Sequence, residues 1–276
     1  MKILTAVDGS FHASIAARYS FALAKGFNAK LFIATVIPNN MSNKVETEAE
    51  DKIEKILHEG REQGLDIEGV ILNGDVVGAI NEFVKNNSVD ITISSTRRPY
   101  KDKGFFVKSI TSRLMSKLPC NVIGLKISHP GRSINPKKIL MPVIGDGYMD
   151  KERADIAEAF AKVFNSEITV LHVVEMKDSS FKIMDRKEME QLTLSAERHV
   201  SSFIEELRKR GVTVSEKIIT GNKAREAIIY EASHHKYDLI IAGATTRNII
   251  KRIVAGNPVE EILRDTPCDV MLIHFK

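Results

Sequence analysis

The chain has 276 residues, with 40 Lys and Arg against 36 Asp and Glu, 43% apolar and 6% aromatic residues, two cysteines and no Trp. That length allows one large domain or two small ones with real cores, and the composition excludes disordered and fibrous chains. No apolar run reaches the roughly 18–20 residues a membrane helix needs, and Met1–Asp8 meets an acid too early for a signal peptide, so a cytoplasmic protein without a membrane span is expected.

In chain order, short β-branched runs predict strands at 2–7, 30–36, 66–72, 90–95 and 121–127, and helical periods predict helices near 10–26, 44–63, 75–87 and 109–117. Ser128 to Pro136 follows, a polar stretch whose two prolines and one glycine suit neither a helix nor a central strand. The pattern then repeats, with strands at 138–143, 167–174, 213–219, 238–242 and 269–275 and helices near 150–164, 184–210, 223–235 and 258–265. Landmarks match in the same order: Lys2–Val7 with Lys138–Val143, Ala29–Val36 with Glu167–Val174, Gly74 with Gly221, Val89–Ser94 with Tyr237–Ala242, and Leu118–Val122 with Thr266–Val270. The chain is a tandem duplication. Domain 1 is expected at 1–127, a linker at 128–136 and domain 2 at 137–276, each a doubly wound five-stranded α/β domain with a parallel sheet. Such sheets bind ligands outside the carboxyl ends of their strands, where strand order reverses. The residues after strands 1 and 4 are therefore the candidates.

Domain 1 opens Ala6-Val7-Asp8-Gly9-Ser10, and both halves close on an Asp, a hydrophobic strand, a polar loop, a short helix, Pro-Cys and a last hydrophobic strand. In these features the sequence resembles the universal stress protein family in its tandem two-domain form, over essentially the whole chain. The resemblance implies Rossmann-like domains of the adenine nucleotide alpha hydrolase-like kind and an adenine nucleotide as ligand, ATP, ADP or AMP, with Mg as an accompanying ion. Nucleotide-binding members carry Gly-x2-Gly-x9-Gly-Ser/Thr after the fourth strand around the phosphates and ribose. An Asp after strand 1 and a backbone position at the end of strand 2 hold ribose and adenine. In domain 2 the pattern falls on Gly243, Thr246, Gly256, Asn257 and Val259, with Val173 at the end of strand 2. Thr246 replaces the second glycine, Asn257 the hydroxyl residue, and Ile144 the ribose Asp. In domain 1 the implied second site comprises Asp8, Val36, Arg98, Lys108, Ser109 and Thr111, and the glycine positions hold Ser95, Arg98 and Lys108.

Glycines in such a loop let backbone N–H groups approach phosphate, and a following helix start adds unpaired donors and partial positive charge. Gly256 and Asn257 preserve that geometry. Asn257-Pro258-Val259-Glu260 is equally an ordinary helix start, with an Asn cap, Pro at the first helical position and a reciprocal Glu. Segment 97–108 holds five cations against Asp102, a net of +4 that equals the formal charge of the whole chain. It can bind an anion, dock an acidic partner or be a solvated loop. Nucleic acid is not an expected partner, because so small an excess with few aromatics falls short of a basic binding face.

Cys120 and Cys268 occupy equivalent Pro-Cys positions that suit buried packing. His234 and His235 suit a helix C-terminus, and His12 a cap or an exposed surface. No metal spacing and no nucleophile–base constellation is visible, so no catalytic residue is expected and at most a slow ATPase. The two apolar fifth strands are expected to pair as an intramolecular pseudo-dimer, with homodimerisation of the chain and an unidentified protein partner following from the resemblance. Two functions stay open: a ligand-sensing stress protein binding nucleotide in domain 2, and a non-nucleotide adaptor whose clefts have decayed or changed ligand.

Overall fold

The computed structural model describes residues 1–39, 43–96, 109–131, 133–143, 150–176, 186–243 and 258–276. In the first repeat the elements are β1 (Lys2–Ala6), α1 (Phe11–Phe27), β2 (Lys30–Ile37), α2 (Asn43–Glu62), β3 (Ile67–Asn73), α3 (Val76–Asn87), β4 (Ile91–Ser95), α4 (Ile110–Lys117) and β5 (Asn121–Lys126). The second repeat runs β6 (Lys138–Pro142), α5 (Asp150–Phe164), β7 (Glu167–Glu175), α6 (Arg186–Lys209), β8 (Val214–Gly221), α7 (Ala224–His234), β9 (Leu239–Gly243), α8 (Pro258–Asp265) and β10 (Asp269–His274). The chain is an α/β protein of tandem doubly wound parallel sheets. Among the described residues its contacts divide it into one unit of 1–134 with 271–276 and another of 135–243 with 258–270.

In the first unit the strand order is β3-β2-β1-β4-β5, so the chain moves outward from β1 on one side and then reverses from β4. The second repeat has the same order, β8-β7-β6-β9-β10. Burial follows position in the sheet. Central strands β1 and β4 bury Ile3, Leu4, Ile91 and Ile93 nearly completely, because helices cover both faces. The outer strands β3 and β8 hold only half-buried and exposed residues, as expected for strands with one open side.

The repeat also preserves the ties that fix register. Asp90 precedes β4 and accepts a hydrogen bond from Lys2 N at 2.7 Å, while its own N–H donates to the Lys2 carbonyl at 2.9 Å. Asp238 precedes β9 and accepts from Lys137 N and Lys138 N, both at 2.9 Å, and donates back to the Lys138 carbonyl. One match needs correction. The ladders set Lys30 opposite Lys2 and Glu167 opposite Lys138, so Lys30 rather than Ala29 is the counterpart of Glu167. An apolar strand buried on both faces has no alternation to fix its register from sequence. With the shift made, Val36 and Val173 occupy the same position.

Candidate functional site

The carboxyl ends of β1 and β4 form the mouth of the first sheet. Val7 N donates to the Ala34 carbonyl at 2.8 Å, and the buried Thr35 hydroxyl donates to the Val7 carbonyl at 2.9 Å, which fastens the end of β1 to β2. Asp8 follows, and its Oδ1 accepts from Ser10 N at 2.9 Å. Gly9 between them has φ +76°, a left-handed turn that glycine adopts without strain. Ser10 caps α1 by accepting from Ala13 N at 3.2 Å. The Lys52 side chain, from α2, lies across this turn.

At the end of β4 the Thr111 hydroxyl is buried, 3.1 Å from Ser94 Oγ and donating to the Ser95 carbonyl at 3.2 Å. Ser109 caps α4 through Ser112 N at 3.1 Å. Thus two of the hydroxyls expected at a second site serve the fold directly. Val36 is half-buried and faces Leu72 across the ladder to β3. Beside it Asp75 caps α3, and the Gly78 N–H holds its carboxyl below the usual range, with Arg113 at 3.6 Å adding to the effect. Arg98 and Lys108, with the rest of segment 97–108, lie outside the described residues.

The second mouth is built from different side chains on the same backbone. Val143 N donates to the Leu171 carbonyl at 2.8 Å. His172, at the place of Thr35, lies with Nδ1 3.0 Å from the Val143 carbonyl, and since a carbonyl only accepts, Nδ1 carries the proton. Val173 pairs with Ile219, and its Cγ1 lies 3.9 Å from where a Cβ on Gly221 would be. Gly243 ends β9, and among the described residues a Cβ there would meet no atom within 4 Å. The first turn of α8 contains Val259. Ile144, Thr246, Gly256 and Asn257 lie outside the described residues.

A model of the universal stress protein family matches residues 1–126 and again 136–274. The chain belongs to the universal stress protein family. A curated universal stress protein of Staphylococcus aureus (strain USA300) is 28% identical over 144 residues, which is 51% of this chain and 86% of that protein. In fold, the chain is similar to universal stress proteins from Archaeoglobus fulgidus (TM-score 0.66, 17% identity, 98% of this chain and 95% of that one) and Pseudomonas aeruginosa UCBPP-PA14 (TM-score 0.67, 16% identity, 98% and 92%).

The other singled-out residues have structural surroundings. Cys120 is buried, its Sγ 3.3 Å from Thr92 Oγ1, and burial pushes its thiol pKa up; Cys268 is buried too. His235 is the C-cap of α7 and reaches Lys217 Nζ at 2.9 Å, and His234 stacks on Tyr230. His12 lies in the first turn of α1, half-buried. Among the described residues no three His, Cys, Asp or Glu side chains group as metal ligands, and no helix is long and apolar enough to cross a membrane. Sequence reasoning missed Lys52 and His172. Lys52 is one cation among many on an amphipathic helix, and His172 sits in an otherwise apolar strand; neither carries a motif.

Proposed function

We propose that this universal stress protein is a cytoplasmic, stress-related ligand sensor that binds an adenine nucleotide in domain 2, at the mouth around the ends of β6, β7 and β9. Gly243 carries this reading. It ends β9 next to β6, where strand order reverses, and no described residue comes within 4 Å of where its Cβ would lie. Its domain 1 counterpart is Ser95, whose carbonyl is taken by Thr111. Gly243, Thr246, Gly256, Asn257 and Val259 would line the phosphates and ribose, with Val173 and Ile144 on the adenine and ribose side and Mg accompanying a polyphosphate. Domain 1 is a second site for the same ligand class, centred on Asp8 and Val36. Signalling through a protein partner, rather than turnover, completes this reading.

The test is nucleotide-induced thermal stabilisation. At a hundredfold excess over Kd, a ligand that binds only the folded state stabilises by about 2.7 kcal/mol. Gly243→Val should fold normally, because no described residue lies within 4 Å of where its Cβ would be, and lose that stabilisation. No shift with millimolar ATP, ADP or AMP in the wild type would end this reading. The adaptor function would then stand, a second reading favoured by the internal engagement of Thr111 and Ser109. We also propose that the two repeats associate through β5 and β10 as a pseudo-dimer, supported by the apolar composition of both last strands.

A further inference from the structure

We propose that Lys52 is the charge-reading residue of the domain 1 mouth, where its ammonium receives a phosphate group of the bound ligand. This rests on the reading of domain 1 as a second site. The Lys52 side chain runs over the loop after β1: a Cβ on Gly9 would lie 2.6 Å from Lys52 Cδ, 3.1 Å from Cε and 3.3 Å from Nζ. Gly9 is therefore required twice, for its positive φ and for the passage of this side chain. The methylene stem packs on the loop while the ammonium reaches the mouth, an arrangement long cationic side chains adopt readily.

Arg18 pairs with Glu59 and Arg61 with Glu54, both at 2.7 Å. Among the described residues Lys52 has no ion pair, although its helix is rich in acids. Lys55 on the same helix has no ion pair among the described residues either, and the passage over Gly9 is what singles out Lys52. It lies instead beside the start of α1, whose first turn carries no acidic residue. An ammonium with no ion pair among the described residues, beside a helix whose first turn holds no acid, can receive an anion, and phosphate oxygens accept from both, with the Asp8 carboxylate engaged on Ser10 N at the same turn. Asp8, one residue from Gly9, stands on the sugar side of the same ligand while Lys52 takes the phosphate. The repeat sharpens the assignment. Gly64 and Gly211, both at φ +75°, mark the same turn after α2 and α6, which sets Lys52 against His199. Domain 2 has no ammonium at this position.

Backbone amide NMR of the full chain tests the proposal, with ADP and inorganic pyrophosphate as separate probes and the Gly9 and Gly243 amides as reporters. Titration should move the Gly9 amide in the wild type. Lys52→Met keeps the packing on Gly9 and should weaken the affinity read at Gly9 about tenfold, the effect of losing one charge-assisted hydrogen bond. Lys52→Arg should restore most of it, and Gly243 should respond alike in all three proteins. Equal or tighter binding at Gly9 in Lys52→Met overturns the proposal, as does a Gly9 amide silent to both probes. A Gly9 response to pyrophosphate that Lys52→Met abolishes, with ADP silent at both amides, upholds the role of Lys52 and sinks the nucleotide reading. An ADP response at Gly243 alone does the reverse.

Discussion

The two repeats fill one equivalent patch with opposite chemistry. In domain 1, Phe32 on β2 meets Phe83 on α3 edge to face, with centroids 5.2 Å apart at 77°, while Val70 lies on β3 and Val89 just past α3. The ladders and helix ends put Thr169, Glu231, Lys217 and Tyr237 in those four places in domain 2. There the buried Glu231 carboxylate accepts from Lys217 Nζ at 2.8 Å and from the Tyr237 hydroxyl at 3.3 Å, with His235 Nε2 3.6 Å away. Burial pushes the Tyr237 hydroxyl pKa up, and Thr169 Oγ1 lies 3.1 Å from Ser215 Oγ. A buried polar network is tolerated where each member finds a partner, and an aromatic pair does the same work by area and ring geometry. The lesson is that a duplicated backbone fixes where a helix must be held, not what holds it.

The largest expected effect tests the aromatic side. Phe32 is 5% exposed, and Phe32→Ala should cost about 4 kcal/mol through lost burial plus a cavity. Glu231→Ala should cost less, about 2 kcal/mol, because Lys217 is 34% exposed and its ammonium can turn to water once the carboxylate is gone. Chemical denaturation followed by amide exchange in each domain gives both numbers. A cost for Glu231→Ala above that for Phe32→Ala would break the comparison. A double-mutant cycle of Glu231→Ala with Lys217→Ala should give a coupling of about 1 kcal/mol.

The patch also shows where sequence reading stops. The elements were legible almost to the residue: the helical period near 44–63 became Asn43–Glu62, and the run 238–242 became Leu239–Gly243. Strong periods, Pro-Cys landmarks and paired Asp90 and Asp238 carried that information. The polar network was not legible, since Glu231, Lys217, Tyr237 and Thr169 lie on separate elements and each alone resembles a surface residue. His235 was expected only at a helix end, which is where it lies, but its contact with Lys217 comes from tertiary packing. The family's glycine pattern pointed to Gly243, whereas Lys52 became visible only when α2 was laid over Gly9.

A smaller effect contrasts the ion pairs that join the first two helices of each repeat. In domain 1, among the described residues, Arg18 pairs with Glu59 alone, with side chains 41% and 35% exposed. In domain 2, Arg210 meets Asp155, Glu158 at 3.0 Å and Glu206 at 2.7 Å, and is itself 15% exposed. Arg18→Ala should cost about 0.5 kcal/mol and Arg210→Ala about 1.5 kcal/mol, the latter because three partners share one poorly solvated guanidinium. Hydrogen bonds from Lys162 and then Arg210 hold the Glu158 carboxyl below its usual value. A depressed folded-state pKa gives stability that is present above the unfolded value of 4.5 and is lost as pH falls through the lower folded value. The penalty of Arg210→Ala should therefore shrink below about pH 4.5, and a pH-independent penalty would remove the carboxylates from the account.

The last contrast concerns how helices begin at the two mouths. Domain 1 starts its helices locally: the Ser10 and Ser109 hydroxyls accept from the backbone N–H three residues on. Domain 2 starts α7 from a distance. Lys223 occupies the cap position of α7 without a side-chain cap bond, and Glu175 at the end of β7 accepts from Ala224 N at 2.7 Å instead. Ser10→Ala should therefore cost about 1 kcal/mol, the ordinary loss of a helix cap. Lys223→Ala should change stability by less than about 0.5 kcal/mol, since its ion pair with Glu226 is half-exposed on both sides. The same two variants separate cap from ligand. Removing the Ser10 hydroxyl frees the Ala13 N–H at the start of α1, so anion affinity at the Gly9 amide should hold or rise while stability falls. A parallel loss of affinity and stability would mean that Ser10 itself touches the ligand, and the domain 1 mouth would then be read through its hydroxyls as well as through Lys52.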